Sequence, residues 1–188
     1  MKGVRVGQRG AQQIASSPEL LKVSVFATAL GYWALLGRDK LLYAITVGQP
    51  DARAAQSSFA NPFDGLPIDP MVSDWYPGLR QRLEHYAAGD RVKFDDIQLY
   101  HPPRTSFQQQ VVDVTRKLKY GETITYGELA ARADRPRAAR AVGTVMSSNR
   151  FPIIIPCHRV VGAGGGLGGY SAPQGLSLKT RLLELESE

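Results

Sequence analysis

Pro156-Cys157-His158-Arg159-Val160 sets the only cysteine of the chain beside one of its three histidines. A thiolate is the reactive form of cysteine, and apolar surroundings oppose it unless a base or a cation compensates. The preceding run Ile153-Ile154-Ile155 is β-branched and reads as an extended segment delivering Cys157 into an apolar setting. A buried cysteine in such a run is commonly inert core, so the neighbouring imidazole is what raises a chemical reading. His158 is a candidate base, and a carboxylate elsewhere would orient its ring. Adjacent side chains on an extended segment point opposite ways, so a bridging water is expected between thiol and imidazole. One cysteine forms no intramolecular disulfide, and with His85, His101 and His158 it cannot build a Cys₂His₂ or Cys₄ zinc site. No metal and no cofactor are expected, and a reduced, intracellular protein is the better reading.

The second chemical feature is charge. The net charge is +6, and residues 132–159 hold Arg132, Arg135, Arg137, Arg140, Arg150 and Arg159 against Asp134 alone. Such a cluster is either a solvated basic face or a phosphate-binding surface. What carries it decides between them. Thr125 with Glu128 forms a capping box that opens a short helix at Tyr126, and Asp134-Arg135-Pro136 predicts a tight turn with Pro136 at the first position of the next helix. That helix runs through Ala138, Ala139, Arg140, Ala141, Val142, Gly143 and Met146. Two short helices joined by a tight turn suggest a helix-turn-helix, although an ordinary αα-hairpin has the same outline. The arginines shift the balance towards nucleic acid. The small residues Ala138, Ala139, Ala141 and Gly143 would make the helix thin enough to lie close to a groove floor.

Around these residues the chain divides in two. With 188 residues, 43% hydrophobic and 21% charged, it can bury a sizeable core. Residues 1–21 lack periodicity and are expected to be a loose tail. Their basic start is not followed by an apolar core, since Glu19 and Lys22 interrupt it, so a signal peptide is not expected. The apolar window Val23 to Leu36 is too short and too interrupted to span a membrane. Leu21 to Gly48 predicts β-structure, with Val23, Val25, Ala27 and Ala29 alternating, a turn at Gly37-Arg38-Asp39-Lys40 and a partner strand from Leu41 to Val47. Residues 49–73 read as a long loop. Trp75, Leu79, Leu83 and Tyr86 form a helical stripe with Pro77 in the first turn and Gly89 as its stop, and Val92 to Leu99 predicts another strand. His101-Pro102-Pro103 is the expected domain boundary, giving domains 22–102 and 103–188. Beyond it, Thr105 and Gln108 cap a helix whose apolar face is Phe107, Val111, Val114 and Leu118.

Taken in order, these residues resemble the O6-alkylguanine-DNA alkyltransferases. The likeness runs from about Thr105 to Glu186 and takes in Ser106-Phe107-Gln108, Tyr120-Gly121-Glu122-Thr123, Tyr126-Gly127-Glu128-Leu129-Ala130, Ala139-Arg140-Ala141-Val142-Gly143, Asn149, Pro156-Cys157-His158-Arg159 and Gly169-Tyr170-Ser171. The resemblance implies an α+β protein: an amino-terminal ribonuclease-H-like domain with a small, three-stranded antiparallel sheet, and a mostly helical, winged-helix/helix-turn-helix carboxy-terminal domain. It implies Cys157 as nucleophile, His158 as water-mediated base, Glu186 as the group orienting it, and Asn149 as a brace of the turn before the cysteine. Tyr126 would hydrogen-bond the departing guanine, and Arg140 would fill the space of an extruded nucleotide, flanked on the DNA side by Arg137, Ala138 and Ala139. Backbone groups of Cys157, Val160 and Ser171 would read the base edge, with Met146 and Pro152 as an apolar wall and Tyr170 in the pocket. Base flipping fits, because a thiol fixed in a core cannot reach guanine inside a stack.

The implied function is irreversible, single-turnover transfer of an alkyl group from O6-alkylguanine in double-stranded DNA to Cys157, with O4-alkylthymine open as a further substrate. A monomer without membrane attachment or obligate protein partner is expected. Two competitors remain: a lesion-binding protein that accepts no alkyl group, and a cysteine hydrolase using Cys157 and His158. Ala172-Pro173-Gln174-Gly175 looks longer than the corresponding turn of the family, which predicts a reshaped pocket rim.

Overall fold

The computed structural model describes residues 20–61 and 63–187. Except for Leu20 and Leu21, the expected amino-terminal tail lies outside the described residues. Leu21 is fully buried and opens the first strand rather than ending a tail.

Leu21–Thr28 (β1), Gly31–Arg38 (β2) and Leu41–Gln49 (β3) form an antiparallel meander. The sequence predicts a single strand before residue 37, and the structure makes two. The chain reverses at Ala29-Leu30, where Thr28 Oγ1 accepts from Leu30 N at 3.1 Å and donates to Gly31 O at 2.8 Å. Gly31 sits at φ +99°, a conformation that costs glycine little. The second turn falls where predicted, with Asp39 and Lys40 both at positive φ, as a two-residue hairpin loop requires.

Two further strands, Ile68–Val72 (β4) and Gln98–Leu99 (β5), make this a five-stranded mixed sheet in the order β4-β1-β2-β3-β5, which corrects the expected three-stranded antiparallel one. β4 pairs parallel with β1, and β5 pairs parallel with β3. The expected loop 49–73 therefore contains β4, and also a helix, Ala52–Ser57 (α1), capped by Asp51 accepting from Ala54 N at 2.7 Å. The expected strand 92–99 shrinks to two residues. Upstream of β5, the carbonyls of Asp95 and Ile97 are taken by the Arg116 guanidinium at 3.1 and 2.7 Å.

The sheet is covered on both faces, so Trp33, Ala34, Leu35 and Leu36 of β2 are all fully buried. On one face Leu21, Val23, Ala34 and Leu36 pack with Ala55 and Phe59. On the other, Phe26, Trp33 and Leu35 meet Leu79, Leu83 and Tyr86 of the helix Pro77–Ala87 (α2). This cluster continues into Phe151, Ile153, Ile154, Ile155, Leu178 and Leu182, on the far side of the His101-Pro102-Pro103 segment.

The second half carries Ser106–Arg116 (α3), Tyr126–Arg132 (α4), Ala139–Ser147 (α5) and Leu176–Leu185 (α6). Both predicted capping boxes are present, at Thr105/Gln108 and Thr125/Glu128. Pro136 is not at the first position of α5. Asp134 reverses the chain at φ +58°, residues 135–138 close a turn of their own through Ala138 N to Arg135 O, and the helix begins at Ala139. Ile124–Thr125 (β6) and Val160–Val161 (β7) form a short parallel pair.

The largest departure lies before the cysteine. The β-branched run 153–155 is not a strand but a tight turn, closed by Ile155 N donating to Phe151 O at 2.8 Å. Ile153 stands at φ +73°, a strained position for a β-branched residue. Cys157–Arg159 then forms one turn of 3₁₀ helix. Consecutive side chains on such a turn diverge by roughly 120°, so Cys157 and His158 do not face opposite ways as an extended strand would demand.

Candidate active site

Cys157 is 8% exposed and lines a cavity of about 730 Å³. The strained turn that presents it is tied by Asn149, whose Nδ2 donates to Ile155 O at 2.8 Å while its Oδ1 accepts from Phe151 N at 3.0 Å. Burial pushes the Cys157 thiol up from its ordinary range, and a hydrogen bond from Asn149 and the charge of Lys179 oppose that push. Asn149 thus braces the turn and favours the thiolate.

His158 and Glu186 are buried, and they meet. His158 Nε2 lies 2.9 Å from Glu186 Oε1, although 28 residues separate them. The same oxygen accepts from Tyr86 Oη at 2.6 Å and Arg159 Nη2 at 2.8 Å, and Oε2 accepts from Arg159 Nε at 2.8 Å and Gly121 N at 3.2 Å. Burial alone would raise the Glu186 carboxyl, but the hydrogen bonds from His158, Arg159 and Tyr86 outweigh it and hold it well below the carboxylate range. For His158 burial dominates, lowering its pKa, so the ring is neutral. A neutral ring beside a carboxylate carries its proton on Nε2, which leaves the Nδ1 lone pair as a base. Nδ1 is buried and has no partner among the described residues. Gly121, at φ +75°, is required here, because a Cβ would stand 2.8 Å from Glu186 O.

Three of these groups escape a reading of local sequence. Arg159 Nη1 also donates to Leu118 O at 2.6 Å, so its charge is consumed internally. Tyr86 arrives from α2, 100 residues away from Glu186. Lys179 is fully buried, with Nζ donating to Val160 O at 2.6 Å, Leu167 O at 2.5 Å and Gly169 O at 3.3 Å. Burial lowers the Lys179 pKa, and Cys157 opposes that. The available signal was periodic: Lys179, Leu182 and Glu186 share one helical stripe.

Of the residues expected in the pocket, Tyr126, Met146, Pro152, Tyr170 and Ser171 line the cavity with Cys157 and Asn149. Val160 does not; it is fully buried and its carbonyl is taken by Lys179. Tyr126 closes tightly against the glycine rim, since a Cβ on Gly168 would stand 2.6 Å from its ring. The Tyr170 hydroxyl is buried without a partner among the described residues.

Helix α5 forms one wall, contributing Ala139, Arg140 and Gly143 alongside Met146. Arg140 and Arg137 are exposed, and Ala138 is the half-buried residue before the helix. The 132–159 arginines are not a single free face. Arg150 pairs with Asp64 and stacks 4.6 Å from the Phe63 ring centroid, and Arg159 belongs to Glu186. Arg132, Arg135, Arg137 and Arg140 remain on the exposed side.

A buried cysteine backed by a His–Glu pair opens beside an arginine-bearing helix, an arrangement suited to thiol chemistry next to a polyanion. Residues 106–188 match the family described as 6-O-methylguanine DNA methyltransferase, DNA binding domain. A methylated-DNA–protein-cysteine methyltransferase of Mycobacterium tuberculosis is 42% identical over 125 residues, covering 63% of this chain and 73% of the relative. One from Methanosarcina acetivorans is 46% identical over 106 residues, 56% of this chain and 65% of that relative's length. The crystal structure of M. tuberculosis OGT in complex with DNA superposes with a TM-score of 0.68 at 32% identity, covering 88% of this chain and 93% of that one. The O6-methylguanine-DNA methyltransferase of the archaeon Pyrococcus kodakaraensis gives 0.67 at 26% identity, covering 88% and 99%. The chain belongs to the methylated-DNA–protein-cysteine methyltransferase family.

Proposed function

We propose that this protein repairs O6-alkylguanine in double-stranded DNA by direct, irreversible transfer of the alkyl group to Cys157. The observation carrying this reading is the placement of Cys157 in a cavity walled by the Arg140 helix, with the His158–Glu186 pair buried behind it. His158 Nδ1 takes the thiol proton through a water. The thiolate attacks the alkyl carbon; a C–S bond forms as the carbon–O6 bond breaks, and its electron pair passes to the guanine. A proton returned to the base completes the balance, leaving S-alkylcysteine and guanine. A thioether has no ready hydrolysis in such a site, so each molecule acts once.

Tyr126 hydrogen-bonds the departing base, Met146 and Pro152 flank the alkyl group, and backbone groups near Cys157 and Ser171 read the base edge. Arg140 occupies the gap left by the extruded nucleotide, and Arg137, Ala138 and Ala139 lie along the minor groove, whose degenerate code suits lesion repair. In this reading residues 22–102 are a ribonuclease-H-like frame and residues 103–188 a winged helix-turn-helix. The protein works as an intracellular monomer without cofactor. No helix among the described residues is long and apolar enough to cross a membrane. Counting repaired guanines per protein molecule on duplex DNA tests the reading. One is expected; none indicates a lesion binder, and many a turning-over hydrolase.

A further inference from the structure

Tyr86 brings the amino-terminal half into the buried network, and the transfer scheme leaves it without a task. Its ring is 1% exposed, flanked by Trp33 at 6.5 Å and met edge-on by Phe94 and Tyr120 at 6.2 Å each. The Tyr120 hydroxyl in turn reaches Leu185 O at 2.9 Å and Gly89 O at 3.2 Å, tying the chain just after α2 to the residue before Glu186. Packing on both sides therefore fixes how the Tyr86 hydroxyl approaches the carboxylate.

That hydroxyl stands 2.6 Å from Glu186 Oε1 and 3.3 Å from His158 Nε2. The short distance to a charged acceptor assigns the phenol proton to Glu186; the longer one is marginal. Burial and the Glu186 charge raise the Tyr86 phenol well above its ordinary value, so it stays a donor. Oε1 thus receives three donors: Tyr86 Oη, Arg159 Nη2 and His158 Nε2. What the carboxylate offers the imidazole is what the other two leave. When Nδ1 takes the Cys157 proton the ring becomes a cation, favoured by Glu186 and opposed by Arg159 and Lys179. The Nε2 proton stays in place throughout, so its hydrogen bond sets where Nδ1 points.

We propose that Tyr86 is a positioning residue for alkyl transfer, through which α2 fixes Glu186 Oε1, aims the Nδ1 lone pair of His158 and limits how strongly the carboxylate holds the Nε2 proton. The inference rests on the alkyl-transfer reading. It makes the amino-terminal half part of the proton path, not only a frame.

Tyr86→Phe removes the hydroxyl and keeps the ring against Trp33, Phe94 and Tyr120. Single-turnover methyl transfer from duplex DNA should fall by about tenfold, a fraction of the roughly 10²–10⁴ that a positioned base supplies, with duplex affinity unchanged. With one donor gone, Oε1 holds the Nε2 proton more strongly, and the imidazole becomes the stronger base. The rise of rate with pH should therefore move to higher pH. The Nε2–H proton signal of His158 in NMR should move downfield, a readout that needs no activity. Phe94→Leu disturbs the packing of the same ring but leaves the hydroxyl, and should keep the wild-type profile and signal. An unmoved Nε2–H signal in Tyr86→Phe, an equal shift in Phe94→Leu, or a wild-type rate in Tyr86→Phe overturns the positioning role. Absence of methyl transfer in the wild type would instead overturn the alkyl-transfer reading, and the NMR comparison would still decide whether Tyr86 sets the ring.

Discussion

Glu186 Oε1 lies 2.9 Å from His158 Nε2 and 2.8 Å from Arg159 Nη2, so one carboxylate orients the imidazole and neutralises a buried guanidinium. The two duties separate by mutation. Glu186→Gln should slow alkyl transfer and also lower stability, since an uncompensated buried charge typically costs about 3–5 kcal/mol. His158→Gln should slow transfer with a much smaller loss of stability. Single-turnover rates and thermal melts on both variants check this. Equal melting losses would mean that the carboxylate serves the imidazole alone.

Transfer should depend on pH through this network and not through a free thiol. Burial raises the Cys157 thiol and lowers His158, so both are neutral at pH 7. The rate should rise as alkaline pH assists loss of the thiol proton, with apparent values belonging to the coupled pair. In His158→Gln the rise should move to higher pH. A profile unchanged by that substitution would remove His158 from the proton path.

Arg140 is exposed on the cavity wall. Arg140→Ala should weaken repair of duplex DNA far more than reaction with free O6-alkylguanine base, because only the duplex needs extrusion. Affinity for duplex should fall with salt, at a log–log slope of roughly −0.9 per phosphate neutralised. Arg150→Ala should leave that slope unaltered, since Arg150 is paired with Asp64. Equal losses on duplex and free base would refute the extrusion role.

His101 packs edge-on against Phe151 at 5.3 Å, and burial, helped by Arg104 and Arg116, lowers its pKa from 6.5 to about 4. The folded state therefore holds this ring neutral while the unfolded chain binds a proton. Stability is full above pH 6.5 and is lost as pH falls towards 4. His101→Phe should reduce the acid-induced fall in melting temperature over that window. An identical fall in the variant would assign the acid sensitivity elsewhere.

Much of the site was legible because its residues announce themselves locally. The capping boxes at Thr105/Gln108 and Thr125/Glu128 formed as written, since each needs only four consecutive residues. Cys157, Asn149 and Tyr126 could be placed together by motif order. The hairpin at Ala29-Leu30 was hidden because the alternation of Val23, Val25, Ala27 and Ala29 runs unbroken into the turn, where Ala29 is exposed and Leu30 buried, with no Pro, Asn, Asp or Gly before Gly31 to mark the reversal. The Ile153–Ile155 run misled for a related reason: β-branched residues favour strands, and only the tertiary pull of Asn149 and the core holds Ile153 at positive φ. Tyr86, Arg159 and Lys179 act through contacts across the fold, which no local pattern in the sequence displays.

The most direct test is to react the protein with duplex DNA carrying one O6-[³H-methyl]guanine, digest it, and map the label. One methyl per protein molecule, carried wholly by the peptide containing Cys157 and abolished by Cys157→Ser, is the predicted result. Label on any other peptide, or continued removal of methyl groups after one equivalent, would contradict the account.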